Sequence, residues 1–214
     1  MNETTQAGGN AVEIRMGLPE GCRDEAARLF FEAFHHQLRG IMPTEEIALR
    51  LLPNDLNANR VIVAIESGKM VGFAGLAYEG SNYMTFSMRD FRERFGPIGG
   101  FFRYLVYAAA GRPVSGRELV VDGLGVTESM RRRGIGSMLL DAVCRFASER
   151  GFHYVRLDVV DTNEPARRLY EQFGFTIVRT RRNPVFLDPD ARTQCDIEMR
   201  KDLRIPAYPN ARPY

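Results

Sequence analysis

The sequence predicts a single α/β (α+β) domain: one mixed sheet with helices on both faces. Three observations lead there. Apolar residues alternate with a period of two in runs such as Ala11-Val12-Glu13-Ile14-Arg15-Met16, and take helical spacing in others, such as Ala26, Leu29, Phe30 and Ala33. The two patterns follow one another along the chain instead of segregating into separate halves. The length of 214 residues, 44% of them hydrophobic and 26% charged, suits one substantial core with tails or an insertion.

Taken in order, residues 1–10 are polar and glycine-containing without periodicity, and are expected to be a flexible tail. The domain proper then covers 11–203. Its first strand is 11–16, followed by a helix over 25–38 that Gly40 stops. A short helix fits 44–52, with Thr44 as its N-cap between Pro43 and Pro53. The β-branched run 60–66 is a buried strand, and Ser67-Gly68-Lys69 turns it into a second strand over 70–78.

Residues 80–117 break the pattern. Phe91, Phe95, Phe101, Phe102, Tyr104 and Tyr107, set among arginines and glycine-rich joints, predict a helical insertion. A strand follows over 118–126, then a helix over 136–150 whose buried stripe is Leu139, Ala142, Val143 and Phe146, with Gly151 at the C′ position. Next come a strand over 154–160 and a helix opened by Asn163-Glu164-Pro165, with Ala166, Leu169, Tyr170 and Phe173 on one face. Strands over 175–182 and 194–202 complete the domain, and the proline-containing tail from 204 to 214 is expected to be irregular.

Bulk properties remove several function classes. A net charge of +2 is too small for a general polyanion binder, so no nucleic-acid partner is expected. Cys22, Cys144 and Cys195 form neither a CxxC pair nor a zinc spacing, which points to reduced thiols and no metal. The polar start MNETTQAGGN has no apolar signal core, and no run approaches the roughly 20 apolar residues of a membrane span. The expectation is a cytoplasmic protein without a membrane partner.

One segment carries local anion chemistry. The strand ending in Leu124-Gly125-Val126 leads through 127–130 into Arg131-Arg132-Arg133-Gly134-Ile135-Gly136 and then Ser137 in a helix. Gly134 and Gly136 let backbone N–H groups approach an anion, the helix start adds unpaired N–H groups and the positive end of its dipole, and the arginines add charge-assisted donors. A Walker loop is absent because Ser137, not Lys, follows Gly136, and the GxGxxG begun by Gly123 and Gly125 ends on Glu128.

The R-x-x-G-x-G at Arg131, Gly134 and Gly136 resembles the acetyl-CoA motif of the GNAT N-acetyltransferase superfamily. Downstream, Asn163-Glu164-Pro165-Ala166-Arg167-Arg168-Leu169-Tyr170-Glu171-Gln172-Phe173-Gly174-Phe175 is similar to the family's N-x-x-A-x-x-L-Y-E-x-x-G-F. The resemblance is strong over 118–182, and 80–117 lies outside it. It implies a mostly antiparallel twisted sheet, acetyl-CoA as co-substrate and an amine as acceptor.

Residue by residue, the resemblance implies that pantetheine runs along the backbone of Leu124, Gly125 and Val126. Pyrophosphate rests on the N–H groups from Arg132 to Ser137. Asn163, also readable as a plain N-cap, hydrogen-bonds the pantetheine, and Tyr170, also readable as a core aromatic, protonates the departing thiolate. Two carboxylates are candidate general bases: Asp158 on the strand 154–160 and Asp122 on the strand before the cradle. The insertion is open to three readings: a lid over the acceptor site, a homodimer interface or a small helical extension of the core. The competing functional class is an acyl-CoA-binding sensor without catalysis.

Overall fold

A computed structural model describes residues 2–7, 10–38, 44–46, 49–50, 52, 56–110, 114, 116–182 and 195–205. The strands are β1 (Asn2–Ala7), β2 (Asn10–Met16), β3 (Val61–Glu66), β4 (Lys69–Ala77), β5 (Glu118–Val126), β6 (Tyr154–Val160), β7 (Thr176–Arg182) and β8 (Cys195–Asp202). The helices are α1 (Arg23–Leu38), α2 (Met88–Ala110), α3 (Ile135–Glu149) and α4 (Glu164–Gln172). All eight strands form one sheet in the order β1-β2-β3-β4-β5-β6-β8-β7. Only the β5–β6 pair is parallel; the other pairs are antiparallel.

The sequence reading needs one correction at the start of the chain. Residues 2–7, expected in a flexible tail, are the edge strand β1, paired with β2 from Asn2↔Arg15 to Ala7↔Asn10. An edge strand is held by main-chain hydrogen bonds and needs no apolar face, so hydrophobic periodicity gives no sign of it. The Gly8-Gly9 dipeptide between the two strands was the available signal. The helix expected over 44–52 lies partly outside the described residues; 45–46, 49–50 and 52 are helical. Of the tail 204–214, all but 204–205 lies outside them.

Period-two alternation divides the sheet into two apolar faces. On one, Val12, Ile14, Ile62, Ala64 and Leu157 pack with Leu139, Leu140 and Val143 of α3 and Tyr170 of α4. On the other, Val61, Val63 and Phe73 pack with Ala26, Leu29 and Phe30 of α1. The hairpin β3–β4 turns through Ser67 (φ 51°) and Gly68 (φ 77°), the pair of positive φ angles that matches strand twist.

The expected insertion is partly core. Tyr83, Met84, Phe86 and Phe91 are buried in the α1-side cluster, so the segment completes that face instead of sitting on top of it. Helix α2 bends where Gly96 takes φ 75°, ψ 169° ahead of Pro97. Beyond the bend, Ile98, Phe102 and Leu105 stand exposed at helical spacing.

Close packing is tight where Tyr83 crosses β4. A Cβ on Gly75 would lie 2.4 Å from the Tyr83 ring, which is itself fully buried. Gly75→Ala is therefore expected to lower unfolding free energy by about 2 kcal/mol, with an unchanged m value in urea titration, because the buried ring has little room to withdraw.

Candidate functional site

The site begins as a defect in the sheet. Strands β5 and β6 pair from Glu118↔Tyr154 to Val121↔Leu157, and the pairing stops there. On the other side of β5, the register against β4 jumps between Leu76↔Val121 and Gly75↔Gly123. Asp122 is the extra residue of that bulge, which bends β5 away from β6 just beyond their last pair. Strand β6 stays paired with β8 along its whole length, from Tyr154↔Asp202 to Val160↔Asp196. The two strands thus part like a V, leaving the backbone of 122–126 as a free edge on the cleft. Behind the apex, buried Arg156 ties the pair together through Glu118, Nε to Oε2 at 3.1 Å.

Leu124 and Val126 pack towards the α3 side. Gly125 keeps the opposite side narrow: a Cβ there would lie 2.7 Å from the Phe73 ring and 2.9 Å from Ala33 of α1.

At the open end of the cleft β5 runs into the cradle. Thr127 N–H donates to Val71 O at 3.0 Å, anchoring the exit, and a short 3-10 turn follows over Glu128–Met130. Arg131 N–H bonds Glu128 O at 3.2 Å, and the next backbone bond is Met138 N–H to Gly134 O at 3.0 Å. Between them lie the N–H groups of Arg132, Gly134, Ile135, Gly136 and Ser137, with no backbone acceptor among the described residues. Gly134 is the N-cap of α3 at φ 80°, and no side chain caps that helix. Ile135 is buried and roots the first turn in the core. A fixed helix start with unsatisfied donors could hold an anion through main chain alone.

The three arginines are not equivalent. Arg133 is committed to Glu66: Nη2 lies 2.7 Å from Oε1 and Nη1 3.3 Å from Oε2, a two-point pair that pins the cradle to the end of β3. The side chain of Arg131 folds back, its Nε donating to Val126 O at 3.2 Å. Arg132 is exposed and holds φ 61°.

Across the cleft, Asn163 caps α4 by accepting from Ala166 N–H at 3.3 Å, and the local sequence reading of a cap holds. Tyr170 is buried on the α3/α4 side, its ring 6.0 Å from that of Phe175. Loss of hydration pushes its phenol up to about 12, so it holds its proton at neutral pH.

Both candidate carboxylates flank the apex, one step beyond the last β5–β6 pair. Asp158 has Arg156 Nη1 4.0 Å away and stands opposite Glu198 of β8. Asp122 accepts from Met84 N–H at 3.4 Å. Its side chain reaches solvent, yet the dense protein around it removes enough hydration to push its carboxyl above the ordinary value.

Tyr83, a residue the sequence reading took only as part of an aromatic-rich insertion, lies beside it. Its hydroxyl is buried without a hydrogen-bond partner among the described residues. Burial raises this phenol, the Asp122 charge raises it further, and Arg23 opposes the rise. Cys144 is a buried thiol pushed up to about 11 by desolvation, a poor nucleophile at neutral pH. No helix among the described residues is long and apolar enough to cross a membrane, and they contain no cluster of three or more metal-ligating side chains.

Strand β5, unpaired with β6 beyond Val121, leads into a helix start that no side chain caps. The sequence model of the acetyltransferase (GNAT) family matches residues 24–175, from α1 to the end of the turn after α4. The chain belongs to this family. Mycothiol acetyltransferase of Corynebacterium aurimucosum is 38% identical over 81 residues, 38% of this chain and 26% of that protein. N-alpha-acetyltransferase 50 of Danio rerio is 34% identical over 98 residues, 44% of this chain and 55% of that protein. The chain thus spans between about a quarter and about half of these curated relatives. A solved acetyltransferase structure shares the GNAT fold with a TM-score of 0.59, at 23% identity, over 89% of this chain and 98% of that one.

The crowding around Asp122 has a consequence for stability. Its folded-state pKa lies above the ordinary value of 3.8, so the folded chain holds this proton more tightly than the unfolded chain. That contribution is present at low pH and is lost as pH rises through the carboxylate range. Asp122→Asn, which can still accept from Met84 N–H, is expected to raise Tm at pH 7, and the gain should shrink towards pH 4 in calorimetric scans.

Proposed function

We propose that this GNAT protein is an N-acetyltransferase that moves an acetyl group from acetyl-CoA to a primary amine by direct transfer in a ternary complex. The observation that carries the reading is the V between β5 and β6, ending on the uncapped start of α3. The backbone of Leu124, Gly125 and Val126 would pair with the pantetheine amides as an added strand, and a backbone N–H there would polarise the thioester carbonyl. The N–H groups of Arg132 to Ser137 would hold the pyrophosphate, with Arg131 and Arg132 supplying charge. Asn163, at the mouth of α4, is placed to bond the pantetheine while capping its helix.

The chemistry divides between the two faces of the sheet. The amine approaches from the α1 side, where Asp122 and Asp158 stand. Its nitrogen attacks the acetyl carbon, its proton passes to a carboxylate directly or through water, and the C–S bond breaks. A base works best with a pKa near the working pH, so the upward push on Asp122 suits it to that part. Tyr170 meets the leaving sulfur from the other side. A phenol at about 12 facing a thiol with solution pKa near 8.5 does not transfer its proton completely. Its part is to donate a hydrogen bond to the developing thiolate. The acceptor is an amine, either small or carried by a protein.

The test is thiol release from acetyl-CoA across a panel of small amines and peptide N-termini. Tyr170→Phe is expected to lower kcat about 10- to 100-fold with little change in the KM for acetyl-CoA. Asp122→Asn is expected to lower kcat by about 100-fold or more and to remove the acidic limb of the pH profile. Binding alone should already raise Tm, and acetyl-CoA that leaves the melting temperature unmoved would overturn the reading.

A further inference from the structure

At the opposite end of α3 lies a groove to which neither family motif extends. Helix α3 spans 15 residues from the cradle, so its far end is roughly 22 Å from Ile135. There Arg60, Arg150, Tyr78, Asn57, Asn59 and Ser81 line a cavity of about 450 Å³. A second cavity of about 230 Å³, lined in part by Arg15, Arg145 and Glu149, shares Met16 and Arg150 with it.

Charge in this groove is unbalanced. The guanidinium of Arg60 lies 3.5 Å above the centroid of the buried Tyr78 ring, and that of Arg150 is 6.0 Å from the same ring and 4.8 Å from Phe146. Neither pairs with a carboxylate among the described residues. Elsewhere the chain pairs its arginines readily: Arg133 with Glu66, Arg156 with Glu118, Arg168 with Glu164 and Arg204 with Asp202. The Nε of Arg15 is moreover buried with no hydrogen-bond partner, a donor that has given up water for nothing in the described protein. Glu149 is the single acidic residue lining either cavity.

Stacking prepares these groups to bind. A guanidinium laid flat on an aromatic ring spends its face on the ring and keeps its N–H edge for an acceptor, while losing the mobility that binding would otherwise cost. The neutral wall is also ordered: Asn57 Nδ2 donates to Ser81 Oγ at 3.1 Å, and Asn59 N–H to Asn57 Oδ1 at 3.1 Å. The volume exceeds that of a lone inorganic anion and falls in the range of small-molecule sites.

We propose that this groove binds a small phosphate-bearing molecule, whose oxygens bridge Arg60 and Arg150, at a site separate from the acetyl-CoA cleft. The inference is independent of the catalytic reading, since it uses none of the cleft residues.

The experiment measures the melting temperature of the full chain, saturated with acetyl-CoA so that the cradle is filled, on adding inorganic pyrophosphate at ionic strength matched with sodium chloride. At about ten times its Kd, pyrophosphate is expected to raise Tm by about 3–5 °C. The shift should vanish in the Arg60→Gln/Arg150→Gln double variant, in which the separate shift produced by acetyl-CoA persists. The charge-retaining Arg60→Lys/Arg150→Lys variant should keep a smaller pyrophosphate shift. No shift in the parent chain, or one of equal size in the glutamine variant, overturns the proposal.

Discussion

The site depends on one extra residue in a strand. Were β5 and β6 paired to their ends, the sheet would be continuous, and the main chain of 122–126 would be consumed by the ladder. The bulge at Asp122 ends that pairing and turns backbone groups into a binding edge. It also delivers a carboxylate to the apex of the opening. Neighbouring strands hold the defect open: β4 follows β5 on one side through the register shift, and β8 fixes β6 on the other. The Arg156–Glu118 pair marks where closure stops and divergence begins. Removing one partner would leave a charge buried and uncompensated, so that boundary is costly to move.

In the proposed reading, binding of the donor is mainly a main-chain property. The arginine run is the most conspicuous feature of the sequence, yet in the fold Arg133 is spent on Glu66 and Arg131 leans on Val126 O. Their structural work is to hold a loop containing two positive φ angles, at Arg132 and Gly134, against the start of α3. The oriented N–H groups of that loop are the constant part of the site. This explains why a run of three arginines and two glycines is informative only when a strand precedes it and a rooted helix follows.

The proposed acceptor side is built differently. Tyr83, Phe73, Phe30 and Phe34 form a tilted aromatic stack under β4 and β5. That apolar bed lies beside Asp122, and the Tyr83 hydroxyl within it has no hydrogen-bond partner among the described residues. Such an arrangement costs stability and pushes a carboxylate towards basicity, a combination that is typical of working sites. Because residues from 80–117 supply Tyr83, Met84 and Phe91 to this bed, the segment shapes the acceptor face from within the core.

Much of this was legible in the sequence. Period-two and 3.6-residue patterns mark β2, α1, α3 and α4, because each buries one face; β-branched content marks β3, buried along most of its length; Gly134 and Gly151 mark ends with positive φ, and Asn163 one that a side chain caps. The two motifs determined the family, since both are local in sequence. What only the tertiary structure decided depends on contacts between distant segments. These are the β1 edge strand, the bulge that makes Asp122 the apex residue, the diversion of Arg133 to Glu66 and the burial of Tyr83 against Gly75. A bulge is a mismatch between two strands, and an ion pair across 67 residues is a matter of proximity. Neither leaves a periodic trace in one chain, because both are properties of how segments meet.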